Sequence, residues 1–190
     1  MREKQKIYSL ILVNKMNLPN ILSCSRIFLV LPIIIFFEKD LYLYSLICFV
    51  IASVTDFLDG YFARKNNLAS DLGAFLDLLA DKVFVSVILI WMTSNFDNFF
   101  ILISSILIIT REISISSLRL FVISKSKNIA DVRSDLLGKY KTTFQMIGLG
   151  LILISPITSD FAFNISLMLL FFSAVLSWYS FFSYLKKWIV

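Results

Sequence analysis

Residues 56–81 read DFLDGYFARKNNLASDLGAFLDLLAD, and this stretch sets spaced aspartates inside a chain that is otherwise largely apolar. Asp56, Asp59, Asp77 and Asp81 recur in it at helical intervals. One aspartate at the centre of a membrane helix costs about 2.5–3.5 kcal/mol, so four cost on the order of 10 kcal/mol, less near the interface. A positive group among them would offset that cost. The candidate is a hard divalent ion that carries a phosphate.

The composition around this stretch is that of a membrane protein. The chain has 190 residues, 58% of them hydrophobic, with 19 Phe and only 3 Pro, whereas soluble domains contain about 45–50% apolar residues. Because about 20 apolar residues cross a bilayer, the length allows six or seven spans and no separate soluble domain. The sequence predicts an all-α, polytopic bundle of six transmembrane helices, at residues 20–37, 41–63, 71–93, 99–122, 139–157 and 161–186.

The basic residues indicate orientation rather than nucleic-acid binding. The net charge is +5, but the cations cluster at the ends of the predicted spans, where they contact lipid headgroups and mark the cytoplasmic side. The loops on the opposite side contain a single basic residue, Lys39: they are 38–40, 94–98 and 155–160. Both termini are therefore expected in the cytoplasm, with the aspartate stretch at the cytoplasmic membrane surface.

Two further features narrow the chemistry. The chain contains no histidine, so any acid–base step falls to a carboxylate or a lysine. Cys24 and Cys48 lie in apolar runs without the spacing of a metal or redox motif, and packing is the expected role.

Residues 1–16 alternate basic and apolar positions, which suits a helix lying on the headgroups.

The aspartate stretch follows the pattern D-x2-D-G-x2-A-R-x8-G-x3-D-x3-D. Residues three and four apart share a helix face, so the first half of the motif lines one stripe of the second span and the last half lines one stripe of the third. Mg²⁺ binds oxygen ligands, usually a few carboxylates together with substrate phosphates. The small residues Gly60, Ala63 and Gly73 leave space for a nucleotide, and close helix packing is the alternative explanation of the two glycines. Arg64 offers a fork of donors to phosphate oxygens.

All eight positions and every gap of this motif resemble the signature of the CDP-alcohol phosphatidyltransferases. The resemblance implies a six-helix membrane bundle, usually a homodimer, whose site opens to the cytoplasm. It implies Asp56, Asp59 and Asp77 as ligands of Mg²⁺ or Mn²⁺, and Asp81 as a further ligand and the catalytic base. The implied CDP-binding positions are Gly60, Ala63, Arg64 and Gly73. The implied reaction transfers a phosphatidyl group from CDP-diacylglycerol to an alcohol and releases CMP.

A second polar cluster concerns the acceptor alcohol. Arg111, Glu112 and Arg119 interrupt the apolar fourth span, and Lys139 and Lys141 open the fifth. Charges within apolar helices usually face a bundle interior or a watery cavity, and a surplus of cations suits an acceptor that carries its own phosphate. Two structural alternatives stay open: an Arg111–Glu112 ion pair, and lysines that anchor a helix at the interface.

The resemblance also extends to the acceptor. TREISISSLR (110–119), GKYKTTFQM (138–146), NLPNILSCSRI (17–27) and WYSFFSYL (178–185) are similar to segments of the bacterial members that use sn-glycerol 3-phosphate. This implies a membrane domain at 17–190, a bacterial inner-membrane location, and an acceptor phosphate held by Arg111, Arg119, Lys139 and Lys141. A cardiolipin synthase or a relative with another acceptor is the first alternative. A cation or proton transporter is a distant one, because the outer halves of the spans lack the polar groups of a conduction path.

Overall fold

The computed structural model describes the backbone of residues 18–65, 71–125 and 136–189. Within these ranges it describes the side chains other than those of residues 18–22, 24, 57–65, 71–75, 119–120, 122–125, 136–139, 184 and 187–189. This part of the chain is helical and contains no strand. The predicted all-α class is thereby confirmed, and the expected interfacial helix at 1–16 lies outside the described residues.

The described helices correspond one to one to the predicted spans. They are α1 (Leu18–Glu38), α2 (Tyr42–Lys65), α3 (Asp71–Asn95), α4 (Phe99–Lys125), α5 (Leu136–Ile154) and α6 (Asp160–Ile189), with a short 3₁₀ turn at Ser155–Ile157. Two stretches are long and apolar enough to cross a bilayer, Phe99–Leu118 and Asp160–Ser183, with mean hydropathies of 1.8 and 1.9. A shorter apolar stretch covers Tyr42–Asp56. That all six helices cross a membrane stays a prediction.

Large apolar side chains are exposed along these helices, which is unusual for a protein that faces water on all sides. Phe28 is 71% exposed, Phe161 73% and Met168 71%. Such surfaces are stable against lipid, and together with the two long apolar helices they indicate a membrane-associated protein.

The helices form two compact units, which divide between Ile88 and Leu89. In the first unit, α1 packs along α2. The buried face of α1 repeats at intervals of three and four residues, and its members are Ser23, Arg26, Val30, Ile33 and Phe37. Such spacing places all of them on one side of a helix. A single arginine therefore lies on the same buried stripe as the apolar core.

The turn from α1 to α2 is closed by a helix-terminating motif. Asp40 adopts a positive φ of 59°, and its N–H donates to the carbonyl of Phe37 while the N–H of Leu41 donates to that of Phe36, both at 2.9 Å. These are the two hydrogen bonds of a Schellman motif, in which glycine is the usual residue at the left-handed position. The Ser45 hydroxyl then donates to the Ile33 carbonyl at 2.8 Å and links the two helices. The short turn makes α1 and α2 antiparallel neighbours.

The core of the first unit continues into α3. The rings of Phe49 on α2 and Phe84 on α3 stack with centroids 5.8 Å apart, and Ala52 and Ala80 are fully buried. Asp56 lies one turn beyond Ala52, and Asp77 lies just before Ala80. The apolar packing of α2 and α3 therefore leads directly into the aspartate motif.

In the second unit, α6 packs against both α4 and α5. Asn98 begins α4: its side-chain oxygen accepts from the N–H groups of Phe100 at 2.9 Å and Ile101 at 3.4 Å, as a helix N-cap does. Gly148 permits a close approach of α5 to α6, since a Cβ there would lie 3.3 Å from both the Ser166 carbonyl oxygen and the Leu170 nitrogen. Small residues at such crossings are typical of packed membrane helices.

Candidate active site

The first group of the candidate site is an ionic cluster in the first unit, centred on Arg26. One guanidinium nitrogen of Arg26, Nη1, lies 2.5 Å from Oδ1 of Asp56. The other, Nη2, lies 3.6 Å from Oδ1 of Asp77. Two aspartates that are 21 positions apart in sequence, on different helices, thus border one guanidinium. The expected meeting of the α2 and α3 aspartates is seen for this pair.

The arginine and the two aspartates differ in how exposed their side chains are. The Arg26 side chain is 0% exposed, whereas those of Asp56 and Asp77 are 39% and 48% exposed. Oδ1 of Asp77 is itself buried and accepts no hydrogen bond, so the open part of that carboxylate is its other oxygen. Arg26 therefore contacts the carboxylates from their buried side and leaves the opposite side accessible.

The remaining residues of the motif are described only by their helices. Asp59, Gly60, Ala63 and Arg64 continue α2 beyond Asp56, and Gly73 lies in the first turn of α3; their side-chain surroundings are outside the described residues. Asp81 follows Asp77 by one helical turn on α3, and its side chain is partly exposed. The proposed roles of these residues rest on the motif and on the helix register.

The donor set fits a hard divalent cation. Asp56 and Asp77 present accessible carboxylate oxygens from two helices that meet at one guanidinium, and Mg²⁺ and Mn²⁺ prefer oxygen ligands of this kind. Among the described side chains, no group of three or more ligating residues is assembled. That finding does not include Asp59, whose side chain is outside the description.

The second unit contains a charged network of its own, formed by three residues. Oε1 of Glu112 accepts from Nη1 of Arg111 at 2.8 Å and from Nζ of Lys141 at 2.7 Å. Arg111 and Lys141 are each only 6% exposed. Two buried cations therefore share one carboxylate, and the network retains a net charge of +1.

Backbone contacts fix this network to a third helix. Nε of Arg111 donates to the Ser177 carbonyl at 3.1 Å, and the Ser173 hydroxyl donates to the Lys141 carbonyl at 2.8 Å. The geometry thus contains the Arg111–Glu112 ion pair that the sequence left open, and extends it to Lys141. Arg119 lies on α4 and Lys139 on α5, and their side chains are outside the described residues.

Arg26 is the residue of this site that the sequence interpretation did not select. It lies in the segment NLPNILSCSRI, whose resemblance to bacterial family members concerns the whole stretch and assigns no role to this residue. The sequence did contain a signal for a functional role, because a lone arginine between Cys24 and the apolar run that starts at Ile27 is a costly intramembrane charge. The rule applied to Arg111 would have identified Arg26 as well.

Apolar helices with an internal ionic cluster define a membrane-associated helical protein with a polar site. The sequence model of the CDP-alcohol phosphatidyltransferase family matches residues 16–182. Because this covers most of the chain, the protein belongs to the CDP-alcohol phosphatidyltransferase family.

Curated relatives give finer detail. The chain is 34% identical over 174 residues to the CDP-diacylglycerol–glycerol-3-phosphate 3-phosphatidyltransferase of Sodalis glossinidius, which covers 90% of this chain and 94% of that protein. It is 36% identical over 176 residues to the protein of the same name from Haemophilus influenzae, covering 90% and 93%. A third relative of that name, from Wigglesworthia glossinidia brevipalpis, is 39% identical over 138 residues, covering 71% and 75%.

Proposed function

We propose that this protein transfers the phosphatidyl group of CDP-diacylglycerol to sn-glycerol 3-phosphate, giving phosphatidylglycerophosphate and CMP. The observation that carries the proposal is that Asp56 on α2 and Asp77 on α3 lie beside the same guanidinium, that of Arg26. Both belong to a motif whose eight positions are all present. The names of the relatives at 34–36% identity supply the acceptor.

The residues of the aspartate motif divide between metal binding and nucleotide binding. Asp56, Asp59 and Asp77, with Asp81, would hold Mg²⁺ or Mn²⁺, and Gly60, Ala63, Arg64 and Gly73 would form the CDP site. When bound, the divalent cation offsets the negative charge that develops on the phosphates of the donor. The motif residues would hold the lipid-side phosphorus of CDP-diacylglycerol for attack by the acceptor hydroxyl, and such positioning is a large part of phosphoryl-transfer catalysis.

Bond making and breaking involve one proton. The acceptor hydroxyl oxygen bonds to the phosphorus that carries the diacylglycerol, and the bond from that phosphorus to the oxygen of CMP breaks. The bonding electron pair leaves with CMP. Asp81 takes the hydroxyl proton, because a chain without histidine has a carboxylate as its natural base.

The acceptor carries a phosphate of roughly two negative charges at neutral pH, as a phosphorylated side chain does. Arg111, Arg119, Lys139 and Lys141 are the cations proposed to hold it. Glu112 fixes Arg111 and Lys141 in place and neutralises one of their two charges. The net positive charge that remains, with Arg119 and Lys139, favours a phosphorylated acceptor over inositol or serine.

The proposal includes the setting of the reaction. The six helices would cross the bacterial inner membrane with both termini in the cytoplasm, since the basic residues lie at one set of helix ends. The site would open to the cytoplasm, where the CMP moiety is released. Pairing into a homodimer is part of the same proposal and rests on the family resemblance.

The test is the acceptor dependence of CMP release. Purified protein supplied with CDP-diacylglycerol and Mg²⁺ should release CMP when sn-glycerol 3-phosphate is added, and poorly with inositol, serine or phosphatidylglycerol. Equal release with phosphatidylglycerol would make the protein a cardiolipin synthase instead. A chain that moves ions across vesicles and releases no CMP would be a transporter.

A further inference from the structure

We propose that Arg26 is a positioning residue of the carboxylate site: it holds Asp56 and Asp77 together from their buried side and leaves their outer oxygens for the divalent cation. Arg26 belongs to none of the groups assigned above to metal, nucleotide or acceptor. The inference rests on the proposed function only in that the cation bound there is the one the reaction uses.

The place of Arg26 in α1 is the first support. It occupies the buried stripe between Ser23 and Val30 and is fully enclosed. If the position served packing alone, an apolar residue would fill it without the desolvation cost of a buried guanidinium. An arginine at this position supplies a charge, and among the described side chains Asp56 and Asp77 are carboxylates that lie beside it.

The shape of the guanidinium matches the arrangement of the two carboxylates. Nη1 of Arg26 lies closest to Asp56 and Nη2 lies 3.6 Å from Asp77, so the two ends of one rigid planar group lie beside carboxylates of two helices. A lysine ammonium is a point charge on a flexible stem and lacks this geometry. The fork thus sets the separation of α2 and α3 at the level of the aspartates.

The charges require such a residue. Two carboxylates from neighbouring helices repel each other when no cation lies between them, and the repulsion would move α2 and α3 apart at this point. Arg26 reduces the net charge of the trio to −1 and lies on the buried side, whereas the carboxylates are 39% and 48% exposed on the other. It therefore supports the ligands without occupying the accessible side, where a metal ion would bind.

The experiment measures Mn²⁺ binding to the purified full-length protein in lipid nanodiscs, by the loss of the free-ion EPR signal, without substrate. Arg26→Gln should weaken binding by about tenfold or more, because residues that orient metal ligands typically contribute 10–100-fold to affinity. Arg26→Lys should be intermediate, since it restores the charge without the fork. Lys39→Gln, which removes an exposed cation from the α1–α2 turn, is the matched control and should bind as the wild type does.

Other results would overturn the proposal. Tighter Mn²⁺ binding in Arg26→Gln would make Arg26 a cation that competes with the metal. Unchanged Mn²⁺ affinity with a lower thermal midpoint would make it a structural residue only. If Arg26→Gln does not yield a monodisperse protein, Arg26→Lys decides: wild-type affinity in that variant excludes a role for the fork.

The outcome is separate from that of the proposed function. Wild-type protein that binds Mn²⁺ but releases no CMP with glycerol 3-phosphate would refute the function, while the comparison of the variants would still decide the role of Arg26. Wild-type protein that turns over normally, with no change of Mn²⁺ affinity in either variant, would refute the role of Arg26 alone. Wild-type protein that binds no Mn²⁺ would overturn the inference.

Discussion

Asp77 and Asp81 are one helical turn apart on α3 and are both half-buried, and we propose different roles for them. Asp77 contacts Arg26, which fixes its carboxylate beside that of Asp56. Asp81 is partly exposed beyond the fully buried Ala80 and lies further along the same helix. A ligand has to be held in place, whereas a base has to reach the acceptor hydroxyl.

Asp81→Asn should therefore reduce turnover far more than metal binding. General base catalysis contributes about 10²–10⁴-fold, so kcat should fall by that factor while Asp56, Asp59 and Asp77 keep most of the Mn²⁺ affinity. Steady-state CMP release and Mn²⁺ titration measure the two effects. Asp97→Asn, the same change at an exposed loop carboxylate, is the control. Near-wild-type kcat would remove Asp81 from the role of base, and a loss of Mn²⁺ binding that accounts for the whole fall in turnover would leave it only the role of ligand.

At the level of elements, the charged network ties three helices of the second unit together. Glu112 on α4 bonds Lys141 on α5, while Arg111 on α4 and the backbone of Lys141 both contact α6. Because Arg111 and Lys141 are almost fully buried, each depends on Glu112 for its counter-charge. The network is therefore expected to contribute to stability as well as to orient cations.

Glu112→Gln should lower the thermal unfolding midpoint, because removal of one partner from a buried ion pair costs about 3–5 kcal/mol. Combining it with Lys141→Met should restore part of the loss, since one uncompensated buried cation is then gone. Glu38→Gln at an exposed helix end should change little. A midpoint equal to that of the wild type in Glu112→Gln would show that solvent or lipid already compensates both cations.

Much of this architecture could be predicted from the pattern of apolar and charged residues. The six helices were predictable because long apolar runs alternate with short polar turns, and their ends agree within a few residues. The charge of Arg26 was visible in the sequence, but its pairing with both Asp56 and Asp77 was not, because the approach of α1 to α3 arises only from tertiary packing. The Glu112–Lys141 contact spans 29 positions, and neither helix pattern alone specifies it.

At the level of the whole molecule, the proposed orientation of the helices rests on the one-sided distribution of basic residues. With Cys24 and Cys48 replaced by serine, a single cysteine at Asn67 should react with an impermeant thiol reagent only from the cytoplasmic side. A cysteine at Ser159 should react only from the outer side. Labelling of position 67 from outside would contradict the proposed site, which opens to the cytoplasm.

Transfer of the phosphatidyl group to glycerol 3-phosphate is tested most directly by tracing the carbon atoms of the acceptor into the lipid product. Purified protein in nanodiscs should be incubated with CDP-diacylglycerol, Mg²⁺ and carbon-labelled sn-glycerol 3-phosphate, and the lipid extract and CMP quantified together. We expect the label to enter phosphatidylglycerophosphate, one molecule for each CMP released, and Asp81→Asn to lower both signals in parallel. CMP release without label in the lipid, or label transfer that does not require CDP-diacylglycerol, would contradict this expectation.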